Sequence, residues 1–314
     1  MKRFNKSFTQ QEPIPQRGVD RAVQVLQSGR LPRYNTEPNE QGETALFEAE
    51  YAQYQKARYC LAVTSGGQAL QIALRAAGVC PGDRVLANAY TLAPVPGAIH
   101  AVGAVPVLVE IGDDWLTDID DLREKARTSG AMYLLLSHMR GHLADMESIC
   151  ALCRELGIVL IEDCAHTMGA QWRGEKSGNF GAVACFSTQT YKHLNSGEGG
   201  LITTNDAELA ARAIVLSGSY MLYERHGAAP PADAFEAIRL DTPNCSARLD
   251  NLRAAILRVQ LPDLDRQIVR WNLRYQIVEN RLRNGSGIRI VDRSLDESYV
   301  GSSIQFHVEG FPVE

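Results

Sequence analysis

From residue 59 onward, short apolar runs alternate with amphipathic stretches. YCLAV (59–63), RVLAN (84–88), VPVLVEI (105–111), MYLLLSH (132–138), IVLIED (158–163), VACFS (183–187) and LITTN (201–205) read as strands. Between them, GQALQIALRAAGV (67–79), PVPGAIHAVG, the stretch from Asp118 to Thr128, MESICALCREL and NDAELAARAIVL place apolar residues at helical spacing, the last capped by Asn205 or Asp206. Near-continuous apolar strands separated by helices predict a mostly parallel sheet with helices on both faces, an α/β architecture.

The pattern changes after about residue 218, where GSYMLYERHGAAPPADAFEAI reads as a loop-rich segment. From Ala247 to about Arg283 a long, charged, periodic stretch is interrupted by Pro262, which predicts two consecutive helices or one kinked helix. IRIVD and SSIQFHVEG then read as strand-like. The expected organisation is a large domain over 12–245 and a smaller C-terminal α+β domain over 246–314.

Composition narrows the class. A length of 314 residues favours two domains, because single cores stop growing near ~250–300 residues. Hydrophobic residues at 45% and charged residues at 22% are ordinary for a globular protein. The formal charge of −5 comes without a basic block, which argues against nucleic acid as a partner. No apolar run reaches the ~18 residues of a membrane span, and MKRFNKSFTQQEPIPQRG lacks the apolar core of a secretory signal. The cysteines number seven and are scattered through hydrophobic stretches, as expected of free thiols in a cytoplasmic protein. Cys150 and Cys153 form a C-x-x-C inside a helical pattern with no second pair, so buried packing is expected rather than zinc or redox chemistry.

The chemistry concentrates around Lys192, in FSTQTYKHLNSGEGG (186–200). A lysine between a hydroxyl-rich segment and a glycine-rich turn is placed to form a Schiff base beside a phosphate. Asp163 closes the apolar run IVLIED, where a carboxylate can meet a pyridinium nitrogen. Ser65-Gly66-Gly67 follows a strand and opens a helix, a phosphate cradle in which glycines admit the backbone and the helix start offers free N–H groups. Each feature also has an ordinary reading: a solvated lysine, a strand-end carboxylate, a common glycine turn. Their order along the chain points to pyridoxal phosphate, whose chemistry is an electron sink oriented by the protein. His138 and His142 form H-x-x-x-H, but a strand end and a loop are the wrong setting and no third ligand is near, so no metal is expected. A loop histidine lining a substrate pocket is the preferred reading. Arg140 between them is a candidate for an anionic substrate group, with packing as the alternative.

With these motifs in place, the chain resembles the DegT/DnrJ/StrS family of PLP-dependent sugar aminotransferases, from about residue 11 to the end. SGGQALQIAL, PGD (81–83), GAVPVLVEI, HMRGHLADM, EDCAHTMGA, GNFGAVACFS and above all YKHLNSGEGGLITTND carry the likeness. The resemblance implies the aspartate aminotransferase (type I) fold and a homodimer with active sites at the subunit interface. It makes Lys192 the Schiff-base lysine that shuttles a proton, and Asp163 the acid that keeps the pyridine nitrogen protonated. His166 falls near the cofactor ring, Ser187 at the phosphate, and Gly66, Gly67 and Gln68 at the phosphate-binding helix start. Glu198 and the glycines behind it shape the turn.

Three positions depart from the family pattern. Leu92 stands where an aromatic usually stacks on the cofactor, with Tyr90 nearby as a substitute. Gly67 stands where a Thr is typical. The Asn that reaches a partner subunit's phosphate is displaced, leaving Ser246 at its position and Asn244 two residues early. The chain is also short against the family's usual C-terminal extent, so the small domain is expected to be incomplete. The implied activity moves an amino group from glutamate or glutamine to a keto sugar, often nucleotide-linked, or a keto cyclitol. A non-catalytic sensor or scaffold is the second reading. A sugar dehydratase of the same family is the third, although those replace the lysine with histidine, and here His193 only follows Lys192. A NAD enzyme is disfavoured, since no G-x-G-x-x-G follows the first strand.

Overall fold

The computed structural model describes residue 5, residues 11–37 and residues 39–310, so the segment read for a secretory signal and the last four residues of the small domain lie partly or wholly outside it. A seven-stranded sheet forms the centre. Its strands are β1 (Tyr59–Val63), β2 (Arg84–Asn88), β3 (Val105–Val109), β4 (Tyr133–Ser137), β5 (Val159–Asp163), β8 (Val183–Ser187) and β9 (Gly200–Thr204), in the order β1-β9-β8-β5-β4-β2-β3. β9 pairs antiparallel with both its neighbours, and every other pairing is parallel. The interior strands β5, β8 and β9 are almost wholly buried, as near-continuous apolar runs covered on both faces must be.

The two edges are managed differently. β3 is largely exposed and carries Pro106, which an edge strand tolerates because no neighbour needs its N–H. β1 is buried, and the donors on its outer side are taken by Ala228 O, Glu48 Oε1 and Ala247 O through Cys60, Ala62 and Thr64, at 3.1, 2.8 and 3.0 Å. No strand could add there.

Helices α3 (Gly66–Ala76), α4 (Pro94–Ala101), α5 (Ile119–Ser129), α6 (Met146–Leu156) and α7 (Ala207–Ser217) cover the sheet. Ser65, Asp118, Asp145 and Asp206 cap four of them by accepting N–H bonds at the helix start, and Asp206 is thereby the cap of α7. In α6, Cys153 is buried and Cys150 half-buried, and burial pushes the Cys153 thiol up to about 12, in keeping with packing.

Two helices precede the first strand that the pattern predicted, α1 (Gln16–Ser28) and α2 (Glu43–Gln55). Both pack against α8 (Asn251–Gln260). α2 lacks an amphipathic stripe because Glu43 and Glu48 are buried along with Phe47 and Tyr51. Glu48 forms a fully buried ion pair with Arg33 at 2.8 Å.

The stretch after Ala247 is two helices. A 3₁₀ turn, Leu261–Asp263, holds Pro262 between α8 and α9 (Leu264–Arg283). The strand-like reading of IRIVD and SSIQFHVEG needs correction. Only β10 (Ile288–Arg289) pairs with β12 (His307–Val308), two residues on each side. β11 (Glu297–Ser298) instead joins β6 (Gln171–Trp172), which pairs with β7 (Glu175–Lys176). The intervening chain is committed to the sheet-bearing body by other bonds: Arg293 to Gly141 O at 3.0 Å, His193 with Ser302 at 3.1 Å and Gln305 to Tyr90 at 2.5 Å.

Candidate active site

Because all strands but β9 run one way, their carboxyl ends share one edge, where ligands bind in such sheets. Asp163, Ser187 and Ser137 end β5, β8 and β4 there, and Ser65 follows β1. The loop from β8 to β9 carries Lys192 along the same edge. It is tied internally by Thr188 N to Gly199 O at 2.9 Å and Thr190 N to Gly197 O at 3.1 Å. Gln260 of α8 fastens it from outside, accepting from Asn195 N at 3.0 Å and donating to Asn195 O at 2.7 Å. A Cβ on Gly200 would run into the carbonyl of Ser65, so the glycine lets the lysine loop lie against the start of α3.

Asp163 is buried and its carboxylate accepts from Ser137 Oγ at 2.9 Å and from the Ala165 N–H at 3.1 Å. Burial raises its pKa above the ordinary carboxylate value, while those two bonds and the Lys192 charge pull it back. Lys192 Nζ lies 3.1 Å from His166 Nε2. Burial lowers the Lys192 pKa, opposed by Asp163 and helped by Arg140. His166 is pulled down to about 3, first by burial and then by the charges of Lys192 and Arg140. A neutral His166 therefore offers Nε2 as an acceptor to the lysine.

At the start of α3 the chain makes its closest approach to β8. A Cβ on Gly66 would sit 2.9 Å from Ser187 Cβ, whereas one on Gly67 would have only Ser65 Oγ near it, at 3.9 Å. The Gln68 N–H is already bonded to Ser65 Oγ at 3.1 Å, so Gln68 donates to the cap in this structure. Leu92 lies exposed in the turn before α4. Asn244 turns its Oδ1 back on the Ser246 N–H at 2.8 Å, and none of its hydrogen bonds reaches Lys192 or Asp163.

The neighbour of Asp163 was not singled out by its sequence setting. Glu162 is fully buried and accepts from the Gly178, Phe180 and Gly181 N–H groups at 2.9, 2.8 and 2.7 Å. His138 adds a fourth contact at 3.0 Å. His138, Glu162 and Cys164 lie close enough together to hold a metal, yet these bonds already occupy the carboxylate. His138 is thus a core histidine, and the loop histidine His142, expected to line a substrate pocket, is buried. The G-N-F-G run of residues 178–181 was the available signal, since it can wrap a carboxylate with backbone donors.

A cavity of about 680 Å³ opens on the Lys192 side, lined among others by Arg140, His193, Trp271, Tyr275 and Ser302. Asp163, Ser187 and the glycines of α3 lie outside its lining. The residues on this edge fit a phosphorylated pyridine: a glycine cradle that a side chain at 66 would fill, a hydroxyl beside it, a buried carboxylate and an amine of lowered basicity.

The fold is that of the type I PLP-dependent transferases. The crystal structure of DesV from S. venezuelae in complex with a ketimine intermediate superposes with a TM-score of 0.80 at 32% identity, covering 93% of this chain and 74% of that one. The sequence matches the DegT/DnrJ/EryC1/StrS aminotransferase family over residues 16–309, and the chain belongs to that family. Pyridoxal phosphate is the cofactor that the family implies. A "pleiotropic regulatory protein" of Geobacillus stearothermophilus is 38% identical over 70% of this chain and 56% of its own length. The dTDP-3-amino-3,4,6-trideoxy-α-D-glucose transaminase of Streptomyces venezuelae is 37% identical over 81% of this chain and 61% of its own. The L-glutamine:2-deoxy-scyllo-inosose aminotransferase of Streptomyces kanamyceticus is 35% identical over 81% and 60%. The chain thus spans about three fifths of the length of the curated relatives it matches. Among the described residues no helix is long and apolar enough to cross a membrane.

Proposed function

We propose that this protein is a PLP-dependent aminotransferase that moves an amino group from L-glutamine or L-glutamate to the ketone of a keto sugar, often nucleotide-linked, or of a keto cyclitol. The observation that carries the reading is Lys192, a lysine of lowered basicity set on the same sheet edge as the buried Asp163. The names of the Streptomyces relatives, which specify a sugar product and a glutamine donor with a cyclitol ketone, support the substrate classes. A cytoplasmic homodimer is part of the same reading, with Asn244, bonded to the Ser246 N–H in this structure, as the candidate to reach the partner's phosphate site.

When bound, the cofactor supplies the electron sink. The protein's part is positional and electrostatic. Ser187 Oγ and the free N–H groups of Gly66 and Gly67 bind a phosphate at the positive end of α3. Asp163, whose ionised form Ser137 and the Ala165 N–H favour against burial, would hold a proton on the cofactor's ring nitrogen. Lys192 Nζ, whose basicity burial lowers, would be the nucleophile and would later take up a proton and return it. His166 stays neutral and orients Nζ.

The test is the absorbance of the PLP-loaded protein before and after L-glutamine or L-glutamate, with Lys192→Ala as control. The expected result is a donor-dependent loss of the cofactor's visible band with release of the keto acid, absent in the variant. A cofactor that binds through Lys192 yet responds to no amino donor would favour the second reading, a sensor or scaffold, to which the name of the Geobacillus relative lends weight.

A further inference from the structure

Resting on the transaminase reading, we infer that Arg140 is a specificity-determining residue that receives an oxyanion of the substrate, a carboxylate or a phosphate, in the cavity beside Lys192. Arg140 lines that cavity together with Lys192. Its guanidinium makes no ion pair and no hydrogen bond among the described residues, whereas the other charged groups of the lining are engaged. Glu12 is held by Arg270 and by Arg274, the latter at 3.3 Å. Asp263 is held by Arg17 and by Arg266, the latter at 3.0 Å. With both carboxylates neutralised by arginines, the charge left to a ligand is positive, from Arg140 and the lysine. A planar guanidinium with its donor fork unused matches a carboxylate or phosphate bidentately.

The backbone shows that this display is enforced. Arg140 sits in a 3₁₀ turn, Met139–Gly141, at φ 56° and ψ 22°, a left-handed conformation that is unfavourable for a non-glycine residue. The turn is braced on its far side by a buried ion pair, Arg293 with Glu297 at 2.8 Å. Arg293 donates to Gly141 O at 3.0 Å, and Glu297 accepts from the Leu143 N–H at 3.0 Å. Two buried charges from another part of the chain thus fix the conformation that presents Arg140, and no bond of Arg140's own side chain contributes.

The experiment is calorimetric binding of two unreactive probes to the PLP-loaded wild type, Arg140→Gln and Arg140→Lys. Glutarate stands for the amino donor and thymidine diphosphate for a nucleotide-linked acceptor. Arg140→Gln is expected to weaken one probe by roughly 10- to 100-fold, the range for a lost charged hydrogen bond, with partial recovery in Arg140→Lys and an unchanged cofactor spectrum. Loss confined to glutarate assigns the guanidinium to the donor carboxylate, and loss confined to the diphosphate assigns it to the acceptor. A change below threefold for both probes, or no binding of either to the wild type, overturns the inference. Failure of the transaminase reading shows separately, as a wild-type spectrum that does not respond to any amino donor.

Discussion

Ser137 and Asp163 end adjacent parallel strands in register, and the hydroxyl of the first donates to the carboxylate of the second at 2.9 Å. The bond works against desolvation. Burial alone raises the Asp163 pKa, and each donor on the carboxylate favours its ionised form. Removing the hydroxyl in Ser137→Ala therefore raises the Asp163 pKa further. At about 1.5–3 kcal/mol for a hydrogen bond to a charged group, PLP affinity is expected to fall roughly 10- to 100-fold. The loss should shrink as pH is raised, because deprotonation restores the carboxylate. Equilibrium dialysis of PLP at two pH values checks this, and a pH-independent loss would assign Ser137 a packing role only.

The two glycines that open α3 are expected to behave oppositely. Gly66→Ala places a Cβ 2.9 Å from Ser187 Cβ, which forces β8 and the helix start apart. PLP affinity is expected to drop at least about tenfold, the scale of overpacking by 1–3 kcal/mol. Gly67→Ala meets open space, and its backbone needs no positive φ. That variant should keep cofactor affinity and gain up to about 1 kcal/mol of stability from helix propensity. Parallel PLP titrations and urea melts of the two variants separate the cases.

The sheet was legible in the sequence because its interior strands are buried on both faces and leave unbroken apolar runs. That Asp163, Ser187 and the Ser65-Gly66 turn share one sheet edge was legible for a related reason, since a polar residue ending such a run falls at the carboxyl end of a strand. Helix α2 was not, because it is covered on more than one side and Glu43 and Glu48 point inward, which erases periodicity. Glu162 escaped notice because its partners are backbone N–H groups of residues 178–181, and the G-N-F-G run that supplies them points to a carboxylate only once the fold brings the two together. The brace on Arg140 joins positions some 150 residues apart through two charges, a pairing that only the fold brings together.

That brace gives a stability prediction. The Arg293 and Glu297 side chains are 8% and 1% exposed, so neither charge has water to fall back on. Glu297→Ala strands the guanidinium and removes the acceptor of the Leu143 N–H, and is expected to cost about 3–5 kcal/mol. The double variant Arg293→Met with Glu297→Met removes both charges and should lose clearly less than Glu297→Ala. Denaturant melts of the single and double variants check the order, and a double variant weaker than the single would mean that the pair is net stabilising over apolar packing.

Acid should destabilise the cofactor-free protein well before its carboxylates titrate. Burial lowers His142 and His166 to about 3 and His193 to about 4, with Arg293 adding to the first and Lys192 to the other two. In the unfolded chain these groups return to about 6.5. Between about pH 6.5 and 4 the unfolded state thus binds more protons than the folded one, and stability rises with pH there. Each histidine contributes a slope of at most about 1.4 kcal/mol per pH unit. Glu48 acts in the same direction lower down: Arg33 and His226 hold it near 2 against burial, so its contribution is present above its ordinary value and is lost as pH falls toward 2. Urea melts at pH 6.5, 5.5 and 4.5 are expected to show a steep fall, and His142→Gln, which lies outside the proposed catalytic group, should remove about one proton's worth of that slope. A wild-type stability flat across this range would mean that the three histidines are not held neutral in the fold.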